Sequence, residues 1–154
     1  MGRGGVTFTV YKLRTMRGGR TGPVVTVRGD SRITPIGRRL RKLKIDELPQ
    51  LWNVLKGDMS LVGPRPDVPG YMDQLEGDER LLWQLRPGII GPATLKYRNE
   101  EELLAMAADP QHLNDMVIWP DKVRINLEYM RDYSLAKDLR YLLATIYLID
   151  HGIR

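Results

Sequence analysis

Residues 6–13, Val-Thr-Phe-Thr-Val-Tyr-Lys-Leu, alternate apolar and polar side chains, the period-two pattern of a half-buried strand. Arg17-Gly18-Gly19-Arg20-Thr21-Gly22 reads as a turn and Val24 to Val27 as a return strand, which predicts a small N-terminal hairpin. The period then lengthens. Pro35 opens a helix that carries Ile36, Leu40 and Leu43 on one face, with Arg38, Arg39, Arg41, Lys42 and Lys44 around the rest. A second helix is predicted from about Asp46 to Lys56, with Gly57 placed to end it. Residues 58–70 read as a loop around Gly63-Pro64-Arg65-Pro66, residues 71–84 as a helix, and Arg86-Pro87-Gly88-Ile89-Ile90-Gly91-Pro92 as another loop. Glu100 to Ala108 predicts a helix that ends at Asp109-Pro110. Pro120-Asp121 starts the last helical region, interrupted near Ser134. Its end, with Leu142, Leu143 and Ile146, is read as core packing; contact with a membrane surface is the sharper alternative. The expected fold is α+β and predominantly helical: a small N-terminal β-hairpin followed by several short amphipathic helices.

The chain has 154 residues, enough to bury a core, and residues 1–154 are expected to form one domain. Its charge is uneven. Residues 1–45 hold twelve Lys/Arg and a single acid, Asp30, a net +11; the remainder holds twelve Lys/Arg and eighteen acids, a net −6. A basic front end suits an anionic partner: nucleic acid, anionic lipid or a phosphorylated substrate. A solvated cationic face is the plainer alternative. The absence of cysteine excludes disulfides and thiolate metal sites, and two histidines, His112 and His151, do not support a histidine-rich zinc site. No apolar run approaches the ~20 residues of a membrane span, and no signal peptide precedes the first predicted strand. Met1-Gly2-Arg3-Gly4-Gly5 reads as a loop cut open, so further sequence is expected upstream in the natural protein.

Candidate chemistry centres on Arg41-Lys42-Leu43-Lys44-Ile45-Asp46-Glu47-Leu48-Pro49-Gln50. Pro49 fits the first turn of a helix, which puts Asp46 near the N-cap beside the positive helix end. A carboxylate held there stays ionised and suits either attack on phosphorus or Mg²⁺ ligation, with Glu47 supplying the second role. The same residues also describe an ordinary N-cap Asp followed by a first-turn Glu. Adjacent carboxylates cannot flank a glycosidic bond from both sides, so glycoside hydrolysis is disfavoured. In Val62-Gly63-Pro64-Arg65-Pro66 two prolines stiffen the backbone around one guanidinium, as an oxyanion grip requires; a rigid turn with a solvated Arg fits equally. Arg86-Pro87-Gly88 repeats the theme, and Lys12 and Arg14 add cations near the predicted hairpin.

Together, Lys12-Leu13-Arg14-Thr15-Met16, the run from Asp46-Glu47-Leu48-Pro49-Gln50 to Gly57-Asp58-Met59-Ser60, Val62-Gly63-Pro64-Arg65-Pro66 and Arg86-Pro87-Gly88-Ile89 closely resemble the bacterial sugar transferase family. These are the monotopic phosphoglycosyl transferases that begin glycan assembly on polyprenol phosphate. The likeness runs in order from about residue 8 to 148. It implies a two-step, Mg²⁺-dependent reaction. Asp46 attacks the β-phosphorus of a nucleoside diphosphate sugar, usually a UDP-sugar, and polyprenol phosphate then takes the phosphosugar from the enzyme. It implies metal or acceptor handling for Glu47, phosphate contacts for Arg65 and Arg86, and substrate binding for Lys12, Arg14 and Arg41. It also implies work at the cytoplasmic face of the bacterial inner membrane, with no nucleic-acid partner. Two departures stand out. The family's N-terminal re-entrant membrane helix has no counterpart in this sequence, and Asn126 stands where some members carry Asp, so it is given no charged role.

A non-enzymatic basic module that docks on anionic lipid or nucleic acid is the rival reading. Residues 28–45 contain no aromatic side chain to stack on bases, which weighs against its nucleic-acid form. A subunit that kept the fold and lost activity is the third, and the intact Asp46-Glu47 pair argues against it.

Overall fold

The computed structural model describes residues 2–18, 26–66 and 70–151, with side chains described to residue 147. The first helix, α1 (Pro35–Lys42), forms as its sequence predicts. Thr34 caps it by accepting from the Gly37 N–H at 2.9 Å, and Pro35 sits where no intrahelical N–H is needed. The second helix is shorter than predicted. Residues Ile45–Glu47 form a separate 3₁₀ turn, and α2 runs over Gln50–Lys56 until Gly57, at φ 81°, ends it in the left-handed region.

The strand pairing differs from expectation. The predicted turn and return strand lie largely at residues 19–25, outside the described residues. The first arm, residues 6–13, carries no ladder, and Val6, Val10, Tyr11 and Leu13 are exposed. Its backbone donors are taken by a helix and a turn instead. The Tyr11 N–H donates to Asn53 Oδ1 at 3.1 Å and the Leu13 N–H to the Asp46 carbonyl at 2.9 Å. The sheet of the described residues forms between two segments read as loops. Strand β1 (Ser60–Val62) pairs in parallel with β2 (Gly88–Ile90), with Ser60 opposite Gly88 and Val62 opposite Ile90. Glycine and proline there mark a close backbone approach and not a turn. A Cβ on Gly88 would lie 2.1 Å from the Gly63 nitrogen, and one on Gly63 would lie 2.5 Å from the Arg86 carbonyl.

Residues 71–84 also depart from the α-helical prediction, forming 3₁₀ turns over Met72–Gln74 and Gly77–Gln84. Short helices α3 (Pro92–Lys96), α4 (Glu100–Ala105) and α5 (Pro110–Leu113) follow. A π-turn at Asn114–Ile118 joins α5 to α6 (Trp119–Arg131), and the chain ends in α7 (Leu135–His151) after the predicted break. Met72, Leu75, Leu82 and Val123 form the core cluster, with Trp83, Leu85, Trp119 and Leu127 packed on it, so α6 closes over the 3₁₀ turns. The last helix packs against β1, β2 and α3 with Leu142 half-buried, so the core reading holds only in part. Leu143 and Ile146 are exposed, because the apolar residues of α7 exceed what its neighbours cover. The architecture is α+β and predominantly helical, with a parallel strand pair in place of the hairpin.

Candidate active site

The site begins with a backbone device. Lys44 adopts φ 56°, the single non-glycine residue with positive φ among the described residues. A side chain in that region costs roughly 1 kcal/mol, and the kink turns the chain from α1 into the Ile45–Glu47 turn. Asp46 therefore does not cap the helix that follows it; Pro49 occupies the N-cap of α2. The turn instead sinks both acids, leaving Asp46 1% and Glu47 7% exposed.

Burying two adjacent carboxylates requires compensating charge. Lys12 Nζ lies 3.0 Å from Asp46 Oδ2 and 3.6 Å from Glu47 Oε1. Arg65 grips Glu47 with both ends of its guanidinium, at 2.6 Å to Oε1 and 3.1 Å to Oε2. Burial pushes the Glu47 carboxyl up, but the Arg65 hydrogen bonds and the charges of Arg65, Lys44 and Lys12 outweigh it and hold the group down at about 2. Glu47 is thus a fixed anion with both oxygens engaged. Asp46 differs: Oδ2 meets Lys12, while Oδ1 is buried without a hydrogen-bond partner.

A residue that sequence reasoning passed over sets Lys12 in place. Asn53, fully buried on α2, accepts from the Tyr11 N–H and donates through Nδ2 to the Thr9 carbonyl at 2.7 Å. With the Leu13 N–H bound to the Asp46 carbonyl, the segment bearing Lys12 is pinned on both sides. Asn53 lies inside the motif around Asp46, and its signal was a polar residue on a helix otherwise rich in Leu and Trp.

Asp46, Glu47, Lys12 and Arg65 open onto a cleft of about 1330 Å³. Arg41 lines the same cleft from α1, but its guanidinium is paired with Glu101. The neighbouring acids of α4 are likewise engaged, Glu100 with Lys122 at 2.7 Å and Glu102 with Arg28 at 2.9 Å. Arg14 and Arg86 are exposed and lie outside the cleft lining. The fold therefore gathers Lys12, Asp46, Glu47 and Arg65 and places Arg41 at the cleft wall, while Arg14 and Arg86 are not among the lining residues. Tyr71, Asn114, Trp119 and Asn126 also line the cleft.

Mg²⁺ keeps most of its waters and typically uses one or two protein carboxylates plus substrate phosphates. Among the described residues no group of three or more potential metal ligands occurs. The unpartnered Asp46 Oδ1, with Glu47 beside it, fits that sparse mode of binding.

The model of the bacterial sugar transferase family matches residues 1–151. The chain belongs to that family. It is 38% identical over 151 residues to the UDP-glucose:undecaprenyl-phosphate glucose-1-phosphate transferase of Caulobacter vibrioides, covering 94% of this chain and 52% of that protein. The UDP-N-acetylgalactosamine-undecaprenyl-phosphate N-acetylgalactosaminephosphotransferase of Aeromonas hydrophila is 36% identical, covering 99% of this chain and 34% of its own length. A UDP-glucose:undecaprenyl-phosphate glucose-1-phosphate transferase of Escherichia coli K12 is 33% identical, with 95% of this chain and 30% of that protein covered. The chain thus spans about half or less of these three family members. The resemblance read from the Asp46, Arg65 and Arg86 motifs is the one that the family match establishes.

Proposed function

We propose that this chain is the catalytic part of a phosphoglycosyl transferase that moves a phosphosugar from a nucleoside diphosphate sugar, a UDP-sugar by analogy with its relatives, to polyprenol phosphate. The observation that carries the reading is Asp46: buried, ionisable, one oxygen paired with Lys12 and the other unpartnered at the wall of a cleft. An Asp46 oxygen forms a bond to the β-phosphorus, the bond from that phosphorus to the bridging oxygen breaks, and a nucleoside monophosphate leaves with the electron pair. A polyprenol phosphate oxygen then bonds to the same phosphorus and the Asp46–phosphorus bond breaks, which regenerates the carboxylate without a net proton transfer.

The main barrier is repulsion between an anionic nucleophile and an anionic diphosphate. Lys12 reduces the charge at Asp46 and stands ready to meet a phosphate oxygen. Arg65 holds Glu47 rigid, so the charge beside the nucleophile does not wander. Asp46 and Glu47 would hold Mg²⁺, which when bound supplies charge neutralisation at the diphosphate. Arg41 would join the phosphate contacts on release from Glu101. Arg14 and Arg86, being outside the cleft lining, would act at its rim or on the acceptor. Work at the cytoplasmic face of the inner membrane follows from the polyprenol acceptor.

Intact mass measurement after incubation with a panel of UDP-sugars and Mg²⁺ tests the reading. A phosphosugar mass increment on the wild-type protein, absent from Asp46→Asn, is the expected result. An increment that persists on Asp46→Asn would remove residue 46 from the chemistry.

A further inference from the structure

Among the described residues, two buried side-chain oxygens have no hydrogen-bond partner, Asp46 Oδ1 and Asn126 Oδ1. Both residues line the same cleft. Buried polar atoms are almost always satisfied, so each exception asks for an explanation. Asp46 has one as the nucleophile. Asn126 has none in the reaction as derived above, and its surroundings do not supply one. It sits on α6 between Val123 at 4% and Tyr129 at 6% exposure, and is itself 8% exposed. The donors one turn away on that helix are spent elsewhere, the Tyr129 hydroxyl on Asp138 at 2.7 Å and the Lys122 ammonium on Glu100 at 2.7 Å.

We infer that Asn126 recognises the neutral part of the donor, its amide pairing with an O–H or N–H group that enters the cleft with the substrate. The inference rests on the proposed transfer reaction and goes beyond it to donor choice. Lys12 and Arg65 match phosphate oxygens, whereas an amide carries no net charge and offers one acceptor and a pair of donor hydrogens. That pattern suits a sugar hydroxyl or the edge of a nucleobase, and not a phosphate. Sites that hydrogen-bond a substrate group with buried polar atoms discriminate strongly against analogues that lack it, because the protein group is then stranded. Asn126 stands as a specificity residue on this account, distant in sequence from the motif around Asp46.

The test compares wild-type, Asn126→Leu and Asn126→Ser in the full-length protein. Donor KM, kcat and the melting temperature without ligand are measured for each. Leucine removes the stranded amide, so the expected outcome for Asn126→Leu is an unchanged or higher melting temperature, a donor KM raised about tenfold and kcat altered less than threefold. Asn126→Ser, which keeps a hydroxyl, should recover part of the KM. Single-deoxy sugar donors and base-modified donors then locate the partner: the penalty should vanish for the analogue that lacks the contacted group, naming sugar or base. An unchanged donor KM in Asn126→Leu, or a penalty equal across every analogue, overturns the role. So does a melting temperature lowered with KM intact, which would mark a packing residue. A wild-type protein that forms no phosphosugar adduct with any donor would sink the transfer reading and this inference with it, whereas an adduct with identical donor dependence in wild-type and Asn126→Leu sinks the inference alone.

Discussion

At the scale of single residues, two neighbouring carboxylates are driven apart in role by their contacts. Glu47 is locked by Arg65, and its depressed pKa makes it a stability element as well as a site residue. The folded group titrates at about 2 against an ordinary 4.5. A depressed carboxyl stabilises the fold above the unfolded pKa and loses that contribution as pH falls through the folded one. The expected contribution of at most about 3 kcal/mol is therefore fully present above roughly pH 5 and fades towards pH 2. Denaturant unfolding of wild-type and Glu47→Gln across pH 2–7 checks this: the stability difference between them should shrink as pH falls through that window, and a constant difference would contradict it. Arg65→Ala strands the same buried anion. Arg65 is partly exposed, so water screens some of the loss, and a destabilisation of about 1–3 kcal/mol is expected in urea unfolding. Asp46 bears no such clamp on Oδ1, which is why its replacement should cost activity more than stability.

At the scale of elements, the helices around the site were legible and the sheet was not. Pro35 and Gly57 announce the start of α1 and the end of α2 through backbone preferences that act locally, so sequence alone reveals them. Gly63 and Gly88 carry equal punctuation, but their meaning depends on a partner 25 residues away in the chain, which no local pattern encodes. The same limit explains residues 6–13, where the alternation was genuine but the backbone donors went to Asn53 and Asp46. The left-handed Lys44 left no trace in the sequence either, because lysine has no preference for that conformation. Motif order, by contrast, pointed to Lys12, Arg14, Arg41, Asp46, Glu47, Arg65 and Arg86, of which ion pairs join Lys12, Asp46, Glu47 and Arg65. A pair of glycine substitutions separates the two uses of glycine. In Gly57→Ala the new methyl meets nothing within 4 Å, so only the φ of 81° is penalised, at about 1 kcal/mol. In Gly88→Ala it meets the Gly63 backbone at 2.1 Å, and neither strand can yield without breaking the ladder that leads to Arg65. A loss of about 3 kcal/mol or more is expected, read as a shift in urea midpoint, together with reduced adduct formation. Similar losses for the two variants would mean that the strand contact is softer than its geometry implies.

At the scale of the molecule, the exposed surface has a pattern that the core does not explain. No helix of the described residues is long and apolar enough to cross a membrane. Yet Leu48, Leu51, Trp52 and Leu55 lie exposed in and beside α2, spaced to share one helical face. Helix α1, with exposed Arg38, Arg39 and Lys42, packs against the turn that leads into this segment. Apolar side chains bordered by cations are what an anionic bilayer surface selects: the aliphatic and indole groups enter the headgroup boundary, and each nearby cation adds roughly 1 kcal/mol. The proposed reaction, with a polyprenol phosphate acceptor, needs the cleft held at that boundary, and Asp46 lies two residues before the start of this apolar run. The proposal that this face docks on the membrane makes two separable predictions for vesicle flotation. Arg38→Glu with Arg39→Glu should weaken binding to anionic vesicles at least tenfold and leave binding to neutral vesicles unchanged, with high salt mimicking the effect on wild-type. Leu51→Ser with Leu55→Ser should weaken binding to both kinds of vesicle, since the burial of apolar surface does not depend on lipid charge. If neither pair of substitutions alters flotation, the bilayer contact must lie elsewhere, and the exposed stripe of Leu139, Leu143 and Ile146 on α7 becomes the face to substitute next.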